Sequence, residues 1–456
     1  MQFKRDPIIA QATAVGKAGI GVVRISGEGL NPLLNKLFKK SITPRVASLI
    51  HLRDENFQSI DQGLLIYFSA PNSFTGEDVI EFHGHGGVLV MNLVIQRLIE
   101  LGKDLGLRLA KPGEFSERAF LNGKIDLAQA EAIADLIDAN SIAAIKSANR
   151  SLSGEFSKKI NRLVEQLTHL RMLVEATLDF PEEEIEFLES ANAEQQWQDI
   201  HDALQTVLHA SKQGALLKNG ALVVLAGAPN VGKSSLLNQL AQQEIAIVTP
   251  IAGTTRDRIR EEIYLDGIPL HIIDTAGLRE SDDVVEKIGI ERSWSAMGDA
   301  DIILFLRDAS IINQADSDLL LQEIKNSLEL ENHQSAHLIE VWNKKDQVNL
   351  LDKNLLYISA KTGDGIENLK EQLLQALGWE KHSDNIILAR QRHLDSLNIA
   401  LVHIHQAHKY LSLGNASLEL FAEELRLAQE ELGEITGKLL PDELLGKIFS
   451  SFCIGK

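Results

Sequence analysis

Apolar and polar positions follow three different rhythms along the 456 residues. Over residues 1–119, short apolar runs end on glycine or turn residues. GIGVVRISG at 19–27, QGLLIYFSA at 62–70 and DVIEFHGHGG at 78–87 predict strands. VLVMNLVIQRLIELG at 88–102 spaces its apolar residues three and four apart and stops at Gly102, which predicts a helix. The segment reads as an α+β domain. From 120 to 216 the period is helical in KIDLAQAEAIADLIDANSIAAIKSANRSL and in FSKKINRLVEQLTHLRMLVEATLDF at 156–180. Pro181 and the acidic run after it break the second stretch, and a further helix is expected over about 193–217. From 217 to 379 strand-like runs alternate with helical ones: ALVVLAG, PLHIIDTAG, DIILFLRDAS, HLIEVWNKKD and LLYISAKTG. That pattern predicts an α/β domain with a mainly parallel sheet. REEIYLDGIPLHII turns at Asp266–Gly267 and predicts one antiparallel edge. From 380 to 456 the period is helical again. Lone helices leave their apolar stripes uncovered. The stripes of 383–411 and 417–452 are therefore expected to pack on the helices of 120–216. This makes a discontinuous α-helical bundle domain with the 217–379 domain inserted in it.

Apolar content of 44% and charged content of 24% suit a multidomain globular chain. The net charge of −19 argues against a stand-alone nucleic-acid binder, which wants a basic surface. The one cysteine, Cys453, fits a reducing compartment. No apolar run reaches the ~18 residues that span a bilayer, and the N-terminal residues lack a signal-like apolar stretch. A cytoplasmic protein with no membrane association is expected.

GAPNVGKS at 227–234 follows a strand and precedes a helix, the context of a phosphate-cradling loop. Gly227 and Gly232 let the loop curl its N–H groups toward phosphate oxygens, and the helix N-terminus adds positive potential. Lys233 is expected on the β- and γ-phosphates and Ser234 on Mg²⁺. Val231, Ser235 and Asn230 belong to the same loop. DTAG follows in order: Asp274 would hold Mg²⁺ through a water, with Thr275, Ala276 and the Gly277 N–H near the γ-phosphate. NKKD at 343–346 supplies Asn343, Lys344 and Asp346. Asp346 can accept from two N–H groups on one edge of guanine, a donor pair that adenine lacks, and such a site discriminates by ~10⁴. Ser359, Ala360 and Lys361 offer backbone contact to the base. GTTRD at 253–257 lies where a switch loop belongs, with Thr255 the preferred second Mg²⁺ ligand and Thr254 beside it.

Two departures qualify this pattern. The residue after DTAG is Leu278, which has no polar group to orient water, so another residue must position it; Glu280, Asp282, Asp283 and Glu286 are the nearby acids. Asn230 brings an amide oxygen to the phosphates, where it serves either a monovalent cation or local backbone bonds. Cys453, in FCIGK, reads first as a small buried hydrophobe and second as a mobile nucleophile or redox thiol. HGHGG at 83–87 reads as a glycine-rich turn rather than a metal site. Arg24, Glu81 and Lys124 read as ordinary surface charges.

AQAT, GIGVVRISG, PNSFTGEDVIEFHGHGG, KPGEFSERAFLNGKIDLAQAEAIADLIDA, the loop motifs, DTAGLRE with VEKIGIERS, and the terminal FCIGK resemble, over essentially the whole chain, the MnmE (TrmE) family of tRNA modification GTPases. The resemblance implies an N-terminal folate-binding-like domain that dimerises, and an inserted Ras-like P-loop G domain. A 5-formyl or methylene tetrahydrofolate would sit on Arg24, Glu81, Lys124 and Lys456. Magnesium ligands fall on Ser234 and Thr255. Potassium ligands fall on Asn230, Thr249, Ile251 and Thr254, and the water-orienting acid on Glu286. Cys453 is carried as a catalytic candidate. The implied activity is GTP hydrolysis that drives aminomethyl or carboxymethylaminomethyl addition to C5 of wobble uridine. The implied partner is FAD-dependent and MnmG-like, forms a heterotetramer or larger with the homodimer, and holds most of the tRNA. The alternative from another class is a regulatory GTPase switch in ribosome assembly or membrane remodelling.

Overall fold

The computed structural model describes residues 5–38, 42–179, 192–243, 260–274, 297–330, 336–348, 352–381, 386–413, 417–438, 442–452 and 454–455. Their strands are β1 (Ile8–Gln11), β2 (Ala18–Gly27), β3 (Ser48–Arg53), β4 (Ser59–Phe68), β5 (Asp78–Gly86), β6 (Arg108–Leu109), β7 (Ala221–Gly227), β8 (Arg260–Leu265), β9 (Ile268–Asp274), β10 (Ile302–Asp308), β11 (His337–Asn343) and β12 (Leu356–Tyr357). Their helices are α1 (Asn31–Leu37), α2 (Val88–Leu101), α3 (Glu114–Leu121), α4 (Leu127–Asp138), α5 (Ile142–Leu152), α6 (Glu155–Asp179), α7 (Ala193–Asn219), α8 (Lys233–Gln243), α9 (Ala315–Leu330), α10 (Ile366–Ala376), α11 (Gln391–Ser412), α12 (Leu418–Thr436) and α13 (Asp442–Ser450). The chain forms two compact units, one of 1–137, 152–184 and 413–456, the other of 138–151 and 185–412.

The first unit carries a six-stranded sheet ordered β3-β4-β5-β2-β1-β6. Its pairings are antiparallel except β1 with β6. Alternation along β4 turns Leu65 and Tyr67 inward, where they meet Val23, Ile25 and Phe82. Helix α2 covers this face because Met91, Val94 and Leu98 recur at three- and four-residue spacing and are the residues it buries. Leu163, Leu167, Leu170 and Val174 of α6 are buried, as are Phe421, Leu425, Ala428 and Leu432 of α12. Both sets step by four, three and four residues, the seam spacing of paired helices. Each such leucine contributes roughly 1.5–3 kcal/mol. Phe449 and Phe452 close the C-terminal end against Leu127 and Ala130.

One expectation is corrected here. The stretch 83–87 is not a turn: β5 continues to Gly86. Its glycines permit close strand approach. A Cβ on Gly84 would stand 2.2 Å from Asp61 Oδ2, and one on Gly86 2.7 Å from the Ala18 and Ile20 carbonyl oxygens.

The second unit holds a sheet ordered β12-β11-β10-β7-β9-β8. Its pairs are parallel except the hairpin of β8 and β9. That hairpin turns at Asp266 and Gly267 with φ of 55° and 88°, the double left-handed geometry an Asp-Gly pair favours. β7 and β10 are central and almost wholly buried, which is why they read as continuous apolar runs. Helix α11 pairs with α7 through Leu397, Ala400 and Ile404, and the Trp197 indole N–H donates to the Ile404 carbonyl at 2.8 Å.

Candidate functional site

The sheet of the second unit brings four chemistry-bearing residues to one edge. β7, β9, β10 and β11 run parallel and end at Gly227, Asp274, Asp308 and Asn343. The carboxyl edge of such a sheet is where open α/β folds bind ligands. The glycine-rich loop leaves β7 and returns into α8 at Lys233. Gly227 has φ of 140° and Gly232 of 97°, conformations that side chains oppose. A Cβ on Gly232 would lie 2.3 Å from Asn343 Nδ2. Lys233 is buried, and its ammonium donates to the Gly227 carbonyl at 2.9 Å and more weakly to that of Ala228 at 3.4 Å. Burial lowers the Lys233 pKa, and the Asp274 carboxylate opposes the shift. Burial likewise raises the Asp274 pKa against the pull of Lys233. Asp274 Oδ1 is buried without a hydrogen-bond partner among the described residues. A buried carboxylate oxygen left this way fits a hydrated cation. Ser234, Ser235 and Asn230 are exposed at the loop mouth, Asn230 with φ of 60°.

Asn343 ties three loops together. Its Nδ2 donates to the Val231 carbonyl at 2.7 Å, and its Oδ1 accepts from the Ala360 N–H at 2.9 Å. The glycine-rich loop, the end of β11 and the 359–361 turn are thereby one object. Asp346 is exposed. The Ser359 hydroxyl donates to its Oδ1 at 2.6 Å and holds its carboxyl below the usual carboxylate range. The acid therefore favours its ionised form, in which both oxygens can only accept hydrogen bonds. Lys361 is exposed beside it. Asp308 lies outside these motifs, and its Oδ2 accepts from Lys344 Nζ at 2.5 Å. The available signal was an acid closing an apolar strand at the same level as Asp274 and Asn343.

A second cluster lies in the first unit. Arg24 of β2 and Glu81 of β5 are register partners, and Arg24 Nε donates to Glu81 Oε1 at 2.9 Å. They are not ordinary surface charges: their side chains are 24% and 15% exposed. The Arg24 guanidinium also lies 5.8 and 5.9 Å from the rings of Phe74 and Phe115, within cation–π reach. His83 Nε2 sits 3.1 Å from Glu81 Oε2. His83 joins this cluster because its place two residues from Glu81 on one strand puts both on the same face. Lys124 stays exposed and donates to the Pro71 carbonyl at 3.0 Å. Gly455, one residue from the end, is buried. A Cβ there would stand 2.2 Å from the Gln11 carbonyl, and Gln11 is the neighbour of the residue that pairs with Arg24.

Thr249, Ile251, Thr254, Thr255, Thr275, Ala276, Gly277, Glu280, Asp282, Asp283, Glu286, Cys453 and Lys456 lie outside the described residues. Among the described residues, no helix is long and apolar enough to cross a membrane.

Two family models match the chain. The one described as GTP-binding protein TrmE N-terminus covers residues 7–124, and the one described as MnmE helical domain covers 127–453. A protein of Polynucleobacter asymbioticus named tRNA modification GTPase MnmE is 54% identical over 100% of both chains. One of the same name from an Acidovorax species is 50% identical over 99% of both. A solved G domain of the T. maritima FeoB iron transporter is 30% identical, over 34% of this chain and 98% of that one, with a TM-score of 0.26. That score is too low to bear on the position of any residue.

Proposed function

The chain belongs to the MnmE family of tRNA modification GTPases, and from that premise we propose how its residues divide the work. It is a GTP hydrolase, and enzymes of this kind use Mg²⁺. In this reading the N–H groups of the 227–233 loop and the Lys233 ammonium bind the β- and γ-phosphates. Ser234 and Thr255 hold Mg²⁺, with Asp274 acting through a water; when bound, the ion supplies positive charge against the phosphate oxygens. Asp346 reads guanine, and the 359–361 turn closes over the base. Thr275, Ala276 and Gly277 face the γ-phosphate. Asn230, Thr249, Ile251 and Thr254 hold K⁺, and Glu286 orients the attacking water in place of the polar group that Leu278 lacks. The observation that carries the reading is Asn343, which locks the phosphate loop to the base-reading loops through two buried hydrogen bonds.

The cluster of Arg24, Glu81 and His83 offers a guanidinium, a carboxylate and an imidazole. That donor and acceptor set suits the heterocycle of a tetrahydrofolate carrying a one-carbon unit, with Lys124 and Lys456 against its anionic tail. The buried Gly455 beside Gln11 supports a route for the tail toward this cluster. GTP hydrolysis then drives, with an FAD-dependent partner, addition of an aminomethyl or carboxymethylaminomethyl group to C5 of wobble uridine. The work is done in the cytoplasm by a homodimer, and the partner carries most of the tRNA, consistent with the charge of −19.

The test is wobble-uridine analysis of tRNA from cells lacking the protein. Loss of the C5 substituent is expected, and an unchanged nucleoside profile overturns the proposal. Hydrolysis by the full chain should be faster in potassium than in sodium chloride; equal rates remove the cation from the scheme. Glu286→Ala should bind GTP normally and turn over slowly.

A further inference from the structure

β10 is buried along its whole length, yet it ends in a charge, Asp308. Each oxygen of that carboxylate is committed. Oδ1 accepts from the Ser310 N–H at 2.9 Å and from the Ser310 hydroxyl at 2.6 Å. Oδ2 accepts from Lys344 Nζ at 2.5 Å. Burial alone would raise the Asp308 pKa, but the Lys344 and Ser310 donors outweigh it and hold the carboxyl below its ordinary range. The neighbouring Arg307 does not take part. It points to the opposite face of the strand, where it pairs with Asp318 and Glu340.

Lys344 is the second residue of NKKD, and its backbone is left-handed, with φ of 66°. A lysine adopts that region at a cost, and surrounding contacts must hold it there. Its neighbours are fixed by other bonds: Asn343 to Val231 and Ala360, Asp346 to Ser359. Among the described residues, the Lys344 side chain makes its hydrogen bond and ion pair with Asp308, and its charge also acts on Asp346.

We infer that Asp308 is a positioning residue for base recognition. By drawing the Lys344 ammonium from β11 to β10 it keeps residue 344 left-handed, and so fixes the direction in which Asp346 presents its carboxylate. The inference rests on the reading of Asp346 as the guanine acceptor.

The experiment uses the full chain carrying Asp308→Asn, which keeps an oxygen for Ser310 and sets an amide against the ammonium. Binding of fluorescent GDP and ADP analogues and steady-state GTP hydrolysis are measured. Loss of a charge-assisted bond of this kind should weaken GDP about 10- to 100-fold. KM for GTP should rise by a similar factor while kcat stays within about twofold, because the change acts on binding and not on the bond being broken. Asp308→Glu should restore part of the affinity, and Asp308→Asn added to Lys344→Met should cost little beyond Lys344→Met alone. Unchanged GDP affinity overturns the inference. So does an Asp308→Asn loss that is undiminished in the Lys344→Met background, or one that falls on kcat alone. Should Asp308→Asn fold poorly, Ser310→Ala leaves the charge in place and should give a smaller loss of the same kind; no loss there counts against the inference. Asp346→Asn separates the two readings. If it keeps full guanine preference, the guanine reading fails; if it abolishes the preference while Asp308→Asn binds GDP normally, the role of Asp308 alone fails.

Discussion

Replacing Asn343 by alanine tests whether the nucleotide loops act as one object. The side chain is 2% exposed and makes two hydrogen bonds, one to the Val231 carbonyl and one from the Ala360 N–H. Alanine removes both and leaves two backbone groups without partners. An unsatisfied buried group costs roughly 1–3 kcal/mol, whereas a hydrogen bond whose partners find water costs roughly 0.5–1.5. Ala360 is 6% exposed, so water repairs this edge only partly, and the combined loss should be about 2–4 kcal/mol. Asn343 is not part of the β7 and β10 core, so that loss should fall on loop order rather than on the sheet. GDP affinity should then drop about 30- to 800-fold. A fluorescent GDP titration reads the affinity, and hydrogen exchange at the Ala360 N–H reads the loop. A fall of less than about fivefold with unchanged Ala360 protection would refute the reasoning.

Further outcomes follow from other sites. Gly232→Ala forces a Cβ to 2.3 Å from Asn343 Nδ2 at a φ of 97°; nucleotide binding should fall at least tenfold, on the order of the strain involved, with little change in thermal melting. Gly214→Ala would place a Cβ 1.8 Å from the Ile387 carbonyl and should destabilise the second unit by about 1–3 kcal/mol, seen as a lower urea midpoint. Burial alone would raise the Glu114 pKa, but Arg108, the Lys111 N–H and Arg118 outweigh it and bring the pKa from 4.5 to about 2. The group therefore contributes stability above pH 4.5 that is lost as pH falls toward 2, at most about 3 kcal/mol. Urea unfolding of Glu114→Gln should be less stable at neutral pH and flatter across that acid window; an unaltered acid slope would contradict the assignment.

The sequence alone marked most of the longer elements and the motifs whose described residues meet at the carboxyl edge of the second sheet. Apolar runs marked β7, β9, β10 and β11 because strands buried on both faces have no polar side to show. Heptad-like stripes marked α6, α7, α11 and α12 because paired helices bury a seam. Local motifs marked the 227–233 loop and NKKD because a curled loop needs glycine, as the φ of Gly227 and Gly232 shows, and because NKKD is short and contiguous. What the sequence could not decide are groups brought together only by sheet order. Arg24 and Glu81 stand 57 residues apart in the chain and are adjacent only because β2 pairs with β5. Asp308 and Lys344 are 36 apart and meet because β10 lies beside β11. The HGHGG stretch reads as a turn in isolation, but its residues to Gly86 are strand because they pair with β2 and β4, whose close approach at Gly84 and Gly86 leaves no room for a Cβ. Periodicity reports what one element buries; which element covers it, and so which charges meet, is set by long-range pairing that leaves no local pattern in either segment.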